Sequence, residues 1–194
     1  MDRREALKRT AWELGTAVSA PTIMAVLKGC AAKPSLDWKP VFFTEEQASL
    51  VSQLAETIIP KTDTPGAKEA GVPSFIDLVV KDCYKKEDQE KFVAGLKAFD
   101  EQSKSEAGDA FLDLDAAKQT EFINKVYQQA TEAAKAAEPS ADKPFILTMR
   151  ELTLAGFFTS EPGATQVLQY EAVPGAYHGC LPLAEAGNGK TWAT

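Results

Sequence analysis

The sequence LAETIIPKTDTPGAKEAGVPSFID, residues 54–77, predicts the end of one amphipathic helix, a rigid loop and the start of a second helix. Pro60, Pro65 and Pro73 each fix φ at about −65° and remove a backbone donor, so no regular helix or strand continues through this stretch. Gly66 and Gly71 permit backbone conformations that other residues avoid. A loop this stiff either packs back on its own domain or presents a shaped surface to a partner.

Helical periodicity extends in both directions from this loop. Thr44 and Gln47 form a capping box for the first helix, which Pro60 ends. The second helix begins at Pro73, and we expect its inward face to consist of Val72, Phe75, Ile76, Val79, Val80, Cys83 and Tyr84.

Three more helices are predicted after the second. The third covers 87–103, and a loop around Gly108 follows, with Phe111, Leu112 and Leu114 packed beside it. Asp115 caps the fourth helix, and Pro144 opens the fifth, over 145–157. A short helix is expected at 165–170. No stretch alternates as a strand does, so the sequence predicts an all-α domain of about five helices with long, ordered, Pro/Gly-rich loops.

The charge distribution argues against nucleic acid and anionic lipid as partners. The net charge of the 194 residues is −7. Residues 1–30 contain five basic and three acidic residues, so the remainder, with 16 basic and 25 acidic residues, carries −9. Binding to phosphate backbones or to anionic membranes requires the opposite sign.

The N-terminus matches a twin-arginine export motif at Arg3, Arg4, Leu7 and Lys8. A mildly apolar stretch follows, too short and too polar for a stable transmembrane anchor. We therefore expect an export signal over 1–32, a tether over 33–43 and a helical domain over 44–194, located in the periplasm. The alternative is a basic helical N-terminus of a cytosolic protein.

Cys30 follows Leu27, Lys28 and Gly29, which resembles a lipoprotein cleavage site apart from Lys28. If Cys30 is lipidated, acyl chains hold the domain at a membrane surface. If it is not, cleavage nearby leaves the domain free or held by a partner.

Few residues of this sequence are candidates for catalysis or for binding a metal or cofactor. The sole histidine, His178, lies in a Gly/Pro-rich loop with no acidic motif to orient it, so backbone bonding is favoured over catalysis. The cysteines form no zinc, iron–sulfur or haem motif, and no nucleotide-binding fingerprint occurs. Asp113 and Asp115 could bind an ion or serve glycoside hydrolysis, but capping explains one of them. These residues predict no catalytic, metal or cofactor site in this chain.

Cys83 and Cys180 leave three alternatives open. They could pair and fasten the C-terminal block to the second helix. Alternatively, Cys83 stays buried while Cys180 pairs with a partner chain, or both stay reduced. The distance between the two cysteines decides whether they can form a disulfide with each other.

Two blocks of the sequence resemble one family. LAETIIPKTDTPGAKEAGVPSFID and GFFTSEPGATQVLQYEAVPGAYHGC, residues 156–180, are similar to the N- and C-terminal signatures of the small subunit (subunit 3) of gluconate 2-dehydrogenase. The resemblance implies an exported subunit that accompanies a large FAD-dependent flavoprotein of the glucose–methanol–choline type, often with a cytochrome c subunit. The small subunit would then aid export, maturation and stability of the flavoprotein.

The resemblance also implies contact surfaces for the flavoprotein. These are the loop between Pro60 and Pro73, which includes Pro65, and the block 156–180, with Phe157, Phe158, Tyr170 and Tyr177 as aromatic anchors. The alternative function is a separate periplasmic lipoprotein that binds a small ligand, such as a sugar, between the same aromatic side chains.

Overall fold

Five α-helices make up the regular structure of the part of the chain that this computed structural model describes, which is residues 36–138, 142–173, 175–176, 179–185 and 189–193. They are α1 (Glu45–Ile58), α2 (Val72–Cys83), α3 (Lys86–Glu106), α4 (Ala116–Ala136) and α5 (Phe145–Phe158). A 3₁₀ turn (Phe111–Asp113) precedes α4, and a π-helical turn (Gly163–Val167) follows α5. The predicted all-α fold is confirmed.

Local signals set both ends of α1 and the start of α4 as expected, whereas α3 continues to Glu106, beyond the predicted end at 103. Thr44 Oγ1 accepts from the Gln47 amide while the Gln47 side chain accepts from the Thr44 amide, which completes the capping box of α1. Helix α1 ends at Ile58, before Pro60. Asp115 caps α4 by accepting from the Lys118 amide at 2.9 Å. One carboxylate of the Asp113/Asp115 pair is thus accounted for by capping.

Helix α1 lies at the centre of the domain and packs against α2, α4 and α5. Its inward face is fully buried because Ala48, Val51, Leu54 and Ala55 recur at the helical period. Helix α3 joins this core through aromatic side chains. Phe92 meets Phe145 of α5 edge to face, with the ring centroids 5.1 Å apart.

Helices α2 and α5 approach closely at a glycine. A Cβ on Gly156 would lie 2.7 Å from Phe75 Cδ1, so only glycine allows this contact without a shift of the aromatic ring. The close approach lies on the inward face of α5, where Ile146, Met149, Thr153 and Phe157 are also buried at helical spacing.

Several side chains lie where the sequence did not predict them. Cys83 is exposed at the end of α2, because the inward face of that helix ends with Val80. Leu112 is exposed in the 3₁₀ turn, while its neighbours Phe111 and Leu114 are buried. The helix expected at 165–170 is instead the π-helical turn that begins at Gly163.

The predicted tether over 33–43 is fastened to the domain at its C-terminal end. The amides of Val41, Phe42 and Phe43 all donate to the carboxylate of Asp77 on α2, and Phe43 is buried against Phe92. Residues 41–43 therefore belong to the folded unit, because three hydrogen bonds and an aromatic contact hold them there.

Candidate interaction surface

The Glu56 side chain holds the loop between α1 and α2 at two positions. Its Oε1 accepts from the Lys61 amide at 3.2 Å, and its Oε2 accepts from the Lys68 amide at 2.8 Å. A Cβ on Gly66 would collide with this carboxylate and would lie 2.7 Å from the Lys61 nitrogen. The Glu56 carboxylate therefore occupies the space that glycine leaves.

Further bonds fasten the same loop at its ends. The Ala67 amide donates to the Ile59 carbonyl, and the Val72 amide donates to the Ala67 carbonyl. Lys68 Nζ donates to Gln53 Oε1 at 2.7 Å, and Gln53 in turn donates to the buried Gln119 of α4. The loop is packed back on its own domain, with Pro65 half-buried.

Asp77, the last residue of the same sequence block, is fully buried. Its Oδ2 accepts from the Val41 amide at 2.7 Å, and its Oδ1 accepts from the amides of Phe42 and Phe43 at 3.2 and 2.9 Å. The pattern contained a signal for this residue, because Asp77 follows Pro73 by four positions on the inward face of α2. A carboxylate on a buried face needs donors, and here the backbone supplies them.

The start of the C-terminal block is a tight turn built around Ser160. Its Oγ donates to the Phe157 carbonyl at 2.6 Å and accepts from the Gly163 amide at 3.1 Å. A Cβ on Gly163 would overlap the Phe157 carbonyl group, so the turn requires glycine. These residues reverse the chain at the end of α5.

The adjacent phenylalanines of this block have different surroundings. Phe157 is 3% exposed and packs in the core, so its predicted role as a surface anchor is wrong. Phe158 is 38% exposed and meets Phe157 edge to face. Tyr170 is also exposed, whereas Tyr177 lies outside the described residues.

Beyond the π-helical turn, the chain leaves the helical core. The described residues of 170–185 are all exposed, and among them are the large apolar side chains of Tyr170, Val173, Leu181 and Leu183. Trp192, near the end of the chain, is exposed as well. These exposed apolar side chains and that of Phe158 are the candidates for contact with a partner.

Cys83 and Cys180 are exposed free thiols, and no disulfide joins them. The internal bridge that the sequence left open is therefore absent from this structure. The export residues Arg3, Arg4, Leu7 and Lys8 lie outside the described residues, as do Cys30 and His178.

Neither a metal site nor a membrane span is found in the part of the chain that the structure describes. No three His, Cys, Asp or Glu side chains within it are grouped so as to hold a metal ion. None of its helices combines the length and the apolar composition needed to cross a bilayer.

Comparison with known protein families identifies one family that the chain matches. The model of the family described as gluconate 2-dehydrogenase subunit 3 matches residues 45–175, more than half of the chain. This protein belongs to the gluconate 2-dehydrogenase subunit 3 family. Searches of curated proteins and of solved structures return no significant match.

Membership gives the chain a place in a multi-subunit dehydrogenase, because the family is named for one subunit of such a complex. The match includes the Glu56 loop, the Asp77 carboxylate and the Ser160 turn, and it ends at residue 175.

Proposed function

We propose that this chain is the non-catalytic small subunit of an exported, FAD-dependent sugar or sugar-acid dehydrogenase. Its partner is a flavoprotein of the glucose–methanol–choline type, which binds FAD and oxidises the substrate. A cytochrome c subunit takes the electrons onward. The observation that carries the proposal is the family match over residues 45–175.

The use of the polar residues in the two sequence blocks supports an accessory role. The carboxylates of Glu56 and Asp77 are occupied by backbone amides of their own chain. The Ser160 hydroxyl is likewise bonded on both sides by its own turn. Side chains bonded in this way stabilise the fold of their own chain, which is the use expected of them in a structural subunit.

The second part of the proposal concerns export. Arg3 and Arg4 direct this chain to the twin-arginine route, which carries folded proteins, and the flavoprotein travels with it to the periplasm. Lipidation of Cys30 would then hold the complex at the membrane surface.

Purification of the tagged chain from its own periplasmic or membrane extract tests the first part. Co-elution of a large chain with flavin absorbance and gluconate- or sugar-dependent dye reduction is the expected result. A colourless chain that elutes alone, from an extract in which the flavoprotein is demonstrably expressed, would contradict the proposal.

Paired substitution of the arginines tests the second part. Arg3→Lys with Arg4→Lys should remove both this chain and the flavin absorbance from the exported fraction. Arg9→Lys is the matched control, because it changes a nearby arginine outside the pair and should leave export unchanged. Continued export of the flavoprotein by the double variant would show that it travels without this chain.

A further inference from the structure

The C-terminal arm is defined here as the described residues 170–173, 175–176, 179–185 and 189–190, and hydrogen bonds join the residues that flank it. Gln169 and Trp192 form a parallel bridge, in which the Gln169 amide donates to the Thr191 carbonyl and the Ala193 amide to the Gln169 carbonyl, both at 2.8 Å. Lys190 Nζ adds a bond to the Gln166 carbonyl at 2.6 Å. The base of the arm is thus fixed next to the end of the π-helical turn.

The arm contributes no side chain to the core of its own domain among its described residues, all of which are exposed. Val173 is 82% exposed, Tyr170 58% and Leu183 53%. Between residues 41 and 158, by contrast, the large apolar side chains that the structure describes as exposed are Val41, Leu78, Leu112 and Phe158, which are spread over the length of the helical domain. Contiguous exposed apolar surface marks a site of association, and the arm is the short segment in which such side chains are concentrated.

Charge indicates what kind of surface covers the arm. Glu171 and Glu185 are its two acidic residues in the described part, and both are exposed. The amine of Lys190 is already bonded to the backbone at the base. An apolar surface with lysine or arginine at its edge complements this arrangement, whereas a second copy of the arm would bring like charges together.

We propose that the C-terminal arm is the binding site for the catalytic subunit of the dehydrogenase. The inference rests on the proposed function, and it adds the place of contact and the chemistry of the partner surface, which is apolar with a basic edge. The family match ends at residue 175, so most of the arm lies outside it.

A matched pair of double variants of the full chain tests whether the arm binds the catalytic subunit. Leu181→Ser with Leu183→Ser alters the arm, and Leu78→Ser with Leu112→Ser alters two leucines of similar exposure on the helical domain. Each chain is purified, its thermal unfolding is compared with wild type, and its affinity for the isolated flavoprotein subunit is measured. The arm variant should bind at least about tenfold more weakly, and the control should stay within about twofold of wild type.

A charge-reversal variant, Glu171→Lys with Glu185→Lys, tests the basic edge of the partner. It should bind more weakly than wild type and lose much of the salt dependence of the wild-type association. If this variant binds with the affinity and the salt dependence of wild type, the partner surface does not have a basic edge next to the arm. Because this variant leaves the leucines in place, it also reports on the arm if the serine variant unfolds.

The remaining outcomes are separable. If the arm variant binds the flavoprotein with wild-type affinity, or if the control loses as much affinity as the arm variant, the arm is not the binding site. Either result would leave the proposed subunit role intact. A dimer of the free chain that dissociates in the arm variant would show that a second copy covers the arm, and would overturn the proposed occupant. Failure of the wild-type chain to bind any flavoprotein would instead contradict the proposed function itself.

Discussion

Asp77 shows how a single side chain sets the boundary of this domain. Its buried carboxylate accepts three backbone hydrogen bonds from residues 41–43, which have no helix or strand partner for their amides. Hydrogen bonds to a charged acceptor are stronger than neutral ones, and they are strongest where water is excluded. The chain that enters the domain from the N-terminal side is therefore held in one position.

Removal of this carboxylate should unfold the entry segment. We expect Asp77→Ala to lower the free energy of unfolding by about 3 kcal/mol, because buried amides lose their acceptor. Asp82→Ala, on an exposed position of the same helix, is the control and should change it by less than about 0.5 kcal/mol. Urea unfolding followed by circular dichroism measures both, and equal losses would contradict the role of Asp77.

Gly163 makes a second prediction at the scale of one residue. A methyl group there would overlap the Phe157 carbonyl group, so Gly163→Ala should destabilise the protein by about 1–3 kcal/mol through a forced backbone shift. Gly175→Ala is the control, because nothing lies within 4 Å of a Cβ at that position. Thermal unfolding of the two variants should therefore differ, and coincident curves would show that the turn adapts.

At the scale of helices, α3 and α4 are joined by an ion pair at the end of α3. Glu106 Oε2 lies 2.8 Å from Lys125 Nζ, and Gln102 donates to Oε1 at 2.8 Å. The hydrogen bonds from Lys125 and Gln102 lower the pKa of Glu106 below its ordinary value of 4.5. The ionised form is thus favoured in the folded state.

The sign of the pH dependence follows from this direction. Because the folded pKa lies below the unfolded one, the contribution of Glu106 to stability is present above pH 4.5 and is lost as the pH falls through the folded pKa. Glu106→Gln should remove this part of the acid dependence, whereas Glu121→Gln should not. A carboxyl NMR titration that gives Glu106 a pKa at or above 4.5 would contradict a stabilising Glu106–Lys125 ion pair.

At the scale of the whole molecule, the chain combines a self-contained helical core with an exposed C-terminal arm. The core is held by α1 at its centre, the Glu56 loop on one side and the Ser160 turn at the end of α5. The arm adds apolar side chains outside that core. This division separates the part of the chain that folds the subunit from the part that we propose binds the catalytic subunit.

The two thiols give a prediction for the folded chain as a whole. Since Cys83 and Cys180 are exposed and free, both should react with an aromatic disulfide reagent without denaturant. The variants Cys83→Ser and Cys180→Ser should each lose one reactive thiol, as counted by peptide mass spectrometry. Protection of both thiols until a reductant is added would show that they pair in the exported protein.

The sequence alone determined the helices, the caps of α1 and α4 and most of the core, because periodicity and capping are local properties of the chain. Thr44, Pro60 and Asp115 act through residues at most four positions away. The family resemblance is confirmed by the match over residues 45–175, which includes the whole of the first block and the second block up to residue 175.

Only the tertiary structure decided which neighbouring side chains are buried and which are exposed. Phe111 is buried and its neighbour Leu112 is exposed, and a 3₁₀ turn of three residues is too short for a period to distinguish them. Phe157, by contrast, continues the row of Ile146, Met149 and Thr153 at helical spacing. The tertiary structure also decided the bonds from residues 41–43 to Asp77, which join positions more than thirty residues apart. Burial and long-range hydrogen bonding depend on how helices pack, because each requires a partner that the local sequence does not contain.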